Sequence, residues 1–67
     1  MKINLNTTAL KKLLIEQRMT TAQLARLMGT SPAGTAKILK RGSCSSATAG
    51  LLADALGVDI EDIWKED

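Results

Sequence analysis

Few residues in this chain could carry out covalent or metal chemistry. The sequence contains no His and a single Cys, which excludes a zinc site built from those two ligand types and a Cys–His nucleophile pair. The one acid cluster, Asp59, Glu61 and Asp62, falls in the predicted first turn of a helix, where carboxylates favour the helix dipole. We therefore expect no enzyme activity, no metal, no cofactor and no small-molecule ligand.

Charge is unevenly distributed along the chain. Residues 1–53 carry eight Lys or Arg and one acid, a balance of +7, whereas residues 54–67 carry six acids and one Lys, a balance of −5. A basic body with an acidic end suggests a polyanion bound on one face, although solvated surface charges give the same counts. The lack of Phe and Tyr argues against a protein that stacks single-stranded bases on aromatic side chains.

Size and composition indicate one small cytoplasmic domain. A chain of 67 residues has no room for a second core, so we expect a single domain over residues 1–67. No apolar run exceeds three residues, which predicts no membrane partner. A lone Cys44 fits a reduced, cytoplasmic protein.

Capping signals predict an all-α fold of five short helices behind an extended arm. In the arm, residues 1–6, polar and apolar positions alternate and place Ile3 and Leu5 on one side. The arm could cover the core or pair with a second arm as an intermolecular ribbon. Helices are predicted at about 8–18, 21–28, 31–40, 46–56 and 59–64, with a polar loop at 43–45.

The second and third predicted helices are separated by only a few residues, which forces a sharp crossing. That arrangement is typical of a helix-turn-helix, here over about residues 20–41. It needs a small residue where the backbones approach, and Ala25 is placed for that. Gly29 supplies the positive φ of the turn, and Ile38 is expected to face inward. Two helices of an ordinary bundle are the alternative interpretation.

The run MTTAQLARLMGTS at residues 19–31 resembles the Cro and phage-repressor type of helix-turn-helix domain, the XRE family. The segment LADALGVD at 52–59 is similar to the end of that family's fourth helix. The resemblance covers about residues 7–64. It implies a five-helix repressor-like domain that binds a double-stranded, palindromic DNA operator as a homodimer, in a phage or mobile-element context.

The resemblance also implies which residues contact DNA. The recognition helix, about 31–40, would lie in the major groove, and the helix before it would cross the phosphates. Pro32, Ala33, Gly34 and Lys37 take positions that usually face bases, and Thr21 takes a phosphate position. The predicted DNA-binding set is Thr21, Ser31, Pro32, Ala33, Gly34, Lys37, Lys40, Arg41 and Ser43.

This sequence departs from the family pattern at several positions. Residues 32–34 offer no side-chain donors or acceptors, so recognition would depend on Ala33 at a thymine methyl, on Lys37 at a guanine and on DNA shape. The alternative interpretation of these residues is a helix-turn-helix that no longer reads DNA. Thr35 replaces the usual Ile or Val, and we expect its hydroxyl to bond a carbonyl one turn back. Leu14 and Leu39 replace a frequent Arg–Glu pair.

Apolar residues near the C-terminal end are the predicted dimer interface. They follow the fourth helix, where the family dimerises, and the surrounding acids would form a rim distant from DNA. Trp64 could instead cover the core of its own chain. The predicted interface residues are Val58, Ile60, Ile63 and Trp64.

These observations predict a sequence-specific transcriptional regulator that acts by occupying its site. Whether it represses or activates is left open. The alternative is a protein-interaction module of the same fold, either an antirepressor partner or the antitoxin of a toxin–antitoxin pair.

Overall fold

Four α-helices and a small sheet form the fold. The computed structural model describes residues 2–65. Met1 of the predicted arm, and Glu66 and Asp67 of the acidic end, lie outside the described residues. The elements in chain order are β1 (Lys2–Asn4), α1 (Thr7–Glu16), α2 (Thr21–Met28), α3 (Pro32–Arg41), β2 (Ser43–Ser45), α4 (Ser46–Leu56) and a 3₁₀ turn (Ile60–Asp62).

The helices begin where the capping signals predict. Thr20 Oγ1 accepts from the Gln23 amide at 3.1 Å, and Gln23 Oε1 accepts from the Thr20 amide at 2.8 Å. This reciprocal capping box satisfies amides that have no acceptor inside the helix. The N-cap residues of α1 to α4 are Asn6, Thr20, Ser31 and Ser45.

The expectation of five helices is wrong, because the fifth is only the 3₁₀ turn Ile60–Asp62. Beyond that turn the chain is extended and pairs with the arm. Trp64 forms an antiparallel bridge with Leu5, and the Lys65 amide donates to the Asn4 carbonyl at 2.9 Å. Pairing with the arm stops the helix after one turn, a tertiary effect that outweighs local helix signals.

The arm is extended, as predicted, and it pairs within its own chain. β1 runs antiparallel to β2 with Ile3 opposite Cys44, so the predicted polar loop at 43–45 is in fact a strand. The Leu5 amide donates to the Gly42 carbonyl at 2.8 Å and extends the pairing by one residue. Ile3 and Leu5 are both buried, so the arm covers the core of its own chain.

The core lies between α1, α2, α4 and the segment around Ile63. Leu14 and Leu39, which stand at the positions of the family's frequent ion pair, are partly buried against it. Within residues 2–65, no helix is long and apolar enough to cross a membrane. The most deeply buried side chains are Leu10, Leu24, Leu52, Ile63 and Thr35.

Gly50 inside α4 and Gly57 at its C-terminal end should respond oppositely to alanine. A methyl group at Gly50, inside α4, meets nothing within 4 Å, so Gly50→Ala should raise the free energy of unfolding by about 0.5–1 kcal/mol. Gly57 ends α4 at φ +69°, where a side chain costs about 1–2 kcal/mol, so Gly57→Ala should lower it. Urea unfolding followed by circular dichroism measures both. A Gly50→Ala variant less stable than the parent would contradict the placement of Gly50.

Candidate nucleic-acid interface

The turn between α2 and α3 has the geometry that the sequence predicts. Gly29 ends α2 at φ +74°, and the next amide, of Thr30, donates to the Ala25 carbonyl at 2.9 Å. This pattern closes the helix end and reverses the chain within a few residues. Ala25 is fully buried, which agrees with its predicted place at the crossing.

The start of α3 is fixed by a cap and by a pair of hydroxyls. Ser31 Oγ accepts from the Gly34 amide at 3.1 Å, and Pro32 occupies the first turn. Thr35 is fully buried, and its hydroxyl pairs with the Thr30 hydroxyl at 2.8 Å. The prediction that this hydroxyl bonds a carbonyl one turn back is therefore wrong, because the Thr30 hydroxyl of the adjacent turn is its partner. The Thr30–Thr35 pair ties the inner side of α3 to the turn.

One face of α3 is packed and the opposite face is open. Thr35 is buried, and Ile38 and Leu39 are half-buried. The open face carries Lys37 and Lys40. Since α3 contains no acid, this face is cationic, and the cations near its C-terminal end also match the helix dipole. The outer face of α3 consists of the exposed residues Ala33, Ala36, Lys37, Lys40 and Arg41.

The predicted small residues lie at the N-terminal end of this helix. Pro32 and Ala33 are exposed, whereas Gly34 is half-buried. A methyl group on Gly34 would lie 3.0 Å from Ser31 Oγ, the oxygen that caps the helix. Glycine at position 34 therefore leaves the cap undisturbed and the backbone open to close approach.

The cations of α3 lie together. Lys37, Lys40 and Arg41 line one shallow surface depression, so the alkyl stems of three cationic side chains form a common wall. Arg41 also donates from Nε to the Ser43 carbonyl at 3.3 Å, which holds part of its guanidinium against the start of β2. Within residues 2–65 no acidic side chain lines this depression.

Thr21 lies on another element, at the first position of α2, and is half-buried. The first intrahelical bond of α2 is made by the Leu24 amide to the Thr20 carbonyl. The earlier amides, of Thr21 and Ala22, precede that bond and point out of the helix end. This end is suited to an anion, but Thr21 does not line the depression formed by the α3 cations.

The structure corrects Ser43 as a predicted DNA contact. Ser43 is buried as the first residue of β2, because the chain enters the sheet directly after α3. Its neighbour Cys44 is also buried. Burial raises the pKa of the Cys44 thiol, and the nearby positive charge of Arg41 opposes the rise, so the neutral thiol is the favoured form.

The predicted dimer interface is only partly at the surface. Ile63 is fully buried, so its side chain belongs to the core and cannot contact a second copy. Val58 and Ile60 are half-buried and pack against the core. Trp64 is 43% exposed, which leaves it as the main apolar surface of that group.

Several exposed residues were missed by the sequence analysis. Ala36 lies on the outer face of α3, one turn after Ala33, and its helical spacing could have revealed it. Ile15 and Leu27 are large apolar residues that are nevertheless 75% and 60% exposed. Lys65 lies beside the C-terminal end of α3, and no local signal indicates this, since the contact depends on pairing between the chain ends.

Within residues 2–65, no group of three or more His, Cys, Asp or Glu side chains is arranged to hold a metal ion. The site therefore consists of a cationic face on α3 and, on a separate element, the open N-terminal end of α2. Such a surface binds phosphates through charge and backbone amides, and it can contact base edges through exposed side chains.

Comparison with known proteins agrees with this geometry. A family model described as the Cro/C1-type HTH DNA-binding domain matches residues 9–65. No curated protein and no solved structure gives a significant match. The match spans most of the chain, including both helices of the helix-turn-helix and the 3₁₀ turn, and it supports a DNA-binding regulator. The chain therefore belongs to the family of Cro/C1-type helix-turn-helix DNA-binding domains.

Proposed function

We propose that this protein is a sequence-specific regulator of transcription that places α3 in the major groove of duplex DNA and acts by occupying an operator. The observation that carries the proposal is the outer face of α3, where three cations and two alanines are exposed on a helix without acids. A bound protein at a promoter excludes polymerase or contacts it.

The outer face of α3 divides into a region suited to contacting bases and a region suited to contacting phosphates. Ala33 and Ala36 are small and apolar, and they suit thymine methyl groups. Lys37 is the exposed polar side chain nearest to them along the helix and is the candidate for a guanine. Lys40 and Arg41, one turn further, are suited to phosphates, which position a protein without reading sequence.

A binding test on fragmented genomic DNA in moderate salt separates this proposal from its rival. A retarded species at or below micromolar protein is expected. If no fragment is retarded, the chain is better described as a protein-interaction module of the same fold, with α3 contacting another protein.

Replacement of single cations should distinguish a side chain that contacts a base from one that contacts a phosphate. Lys37→Ala should cost about 1–3 kcal/mol of binding and relax the preference at one base pair. Lys40→Ala should weaken all sequences about equally and lower the slope of log K against log salt by about 1. Titration of a retarded fragment, and of copies changed at one base pair each, measures both effects.

Lys12→Ala is the matched control, because Lys12 is an exposed cation on α1. Arg41→Ala is a less clean variant, since it also removes the bond to the Ser43 carbonyl. An unchanged base preference in Lys37→Ala would contradict the proposed position of α3 in the groove.

We further propose that two copies bind a palindromic operator as a symmetric dimer. A small domain with one cationic reading side chain discriminates weakly, and a second copy on an adjacent half-site increases specificity. Trp64, with the exposed parts of Val58 and Ile60, is the proposed contact. The half-sites would then be about 34 Å apart, one turn of DNA.

Trp64→Ala should weaken operator binding and reduce the fraction of 2:1 complex, while the helix content of the free protein is retained. The expected retention follows from the backbone bridge to Leu5, which an alanine can also make. Sedimentation with and without operator measures the stoichiometry, and Ile15→Ala, which changes an exposed apolar residue on α1, is the control. A strict 1:1 complex on a site without two-fold symmetry would exclude the dimer.

A further inference from the structure

A second cationic depression lies at the C-terminal end of α3. It has a volume of about 420 Å³, and its lining includes Lys40, Arg41, Lys65 and Thr7. These residues come from α3, from the segment after the 3₁₀ turn and from the first turn of α1. Within the described residues, none of the lining side chains is acidic.

Backbone hydrogen bonds fix the three segments against one another. The Lys65 amide donates to the Asn4 carbonyl at 2.9 Å, and the Asn6 amide donates to the Ile63 carbonyl at 2.8 Å. The Leu5 amide bonds the Gly42 carbonyl at 2.8 Å, which holds the end of α3 against the arm. The side chains of the cations therefore start from fixed positions, and no acid among the described residues lines the depression to relieve their mutual repulsion.

The neighbouring start of α1 adds to the positive potential. Asn6 Oδ1 accepts from the Ala9 amide at 3.0 Å, so the amides of Thr7 and Thr8 are the ones that precede the cap bond. Thr7 lies against the end of α3, since its methyl group would be 3.4 Å from a methyl placed on Gly42. A hydroxyl and the positive end of a helix dipole thus adjoin the cations.

Within residues 2–65, Glu61 is the acid that lines a depression beside this group. Glu61 lines a separate depression together with Asn6, Trp64 and Lys65, so Lys65 stands between Glu61 and the cationic depression. Glu61 weakens the field of Lys65 in part. Among the described residues, no acid lines this depression or the one that Lys40 and Arg41 share with Lys37.

We propose that the depression formed by Lys40, Arg41, Lys65 and Thr7 binds a phosphate group, and that this phosphate belongs to the backbone of the bound DNA. Three cations and a hydroxyl match the charge and the acceptor oxygens of a phosphate. Lys40 and Arg41 are shared with the outer face of α3, so a strand that passes α3 continues into this depression. The inference rests on the proposed function and assigns Lys65, near the acidic end, to the DNA side.

The test is the salt dependence of DNA binding by variants of Lys65. Lys65→Ala should lower the slope of log K against log salt by about 0.9, the value for one phosphate on duplex DNA, without a change in base preference. Lys65→Arg should restore the slope, and Lys12→Ala, on the side of α1 away from Thr7, should leave it unchanged. Lys65→Ala keeps the backbone amide that bonds Asn4, and thermal unfolding verifies that the fold is retained.

A parental slope in Lys65→Ala, alongside a reduced slope in Lys40→Ala, overturns the inference while the proposed function stands. If the parent binds no DNA, the proposed function fails. Titration of the free protein with inorganic phosphate then tests whether the depression binds a free phosphate compound. Saturable shifts of the Thr7 and Lys65 amide resonances, lost in Lys65→Ala, would assign the depression to a free phosphate compound. If these resonance shifts are absent, the inference of a phosphate site is overturned for free phosphate compounds as well.

Discussion

The orientation of α3 depends on how closely α2 and α3 can approach at their shared turn. Ala25 is fully buried where the helices meet, and Gly29 adopts φ +74°, a conformation that costs any residue with a Cβ about 1–2 kcal/mol. The Thr30 and Thr35 hydroxyls, 2.8 Å apart, then tie α3 to that turn. A larger residue at 25 or a side chain at 29 would alter the crossing, and with it the direction in which Lys37 and Lys40 face.

The second constraint is the pairing of the two chain ends. β1 lies between β2 on one side and the Trp64–Lys65 segment on the other. This arrangement buries Ile3, Leu5 and Ile63 and closes the core that four short helices alone would leave open. It also places Lys65 beside Lys40 and Arg41, so the same backbone bonds that complete the core shape the charge next to α3.

Local signals in the sequence were sufficient for the helix-turn-helix and insufficient for the sheet. The Thr20–Gln23 capping box, Ser31 with Pro32, and Gly29 act within a few residues of themselves, and each has the predicted geometry. β2 and the extended Trp64–Lys65 segment form only because distant residues pair with them, and a pattern within five residues carries no information on that pairing. The errors follow from this. Ser43 and Ile63 were assigned to surfaces and are buried, and Lys65 was counted with the acids around it.

The central claim is that the outer face of α3 reads bases in duplex DNA. Selection of bound duplexes from a random pool, followed by sequencing, tests it most directly, because no operator has to be known beforehand. If α3 reads bases, a motif with two related half-sites one helical turn apart should be enriched over successive rounds. A pool that is retained by the protein but stays random in sequence would contradict the claim, since phosphate contacts alone would then explain the binding.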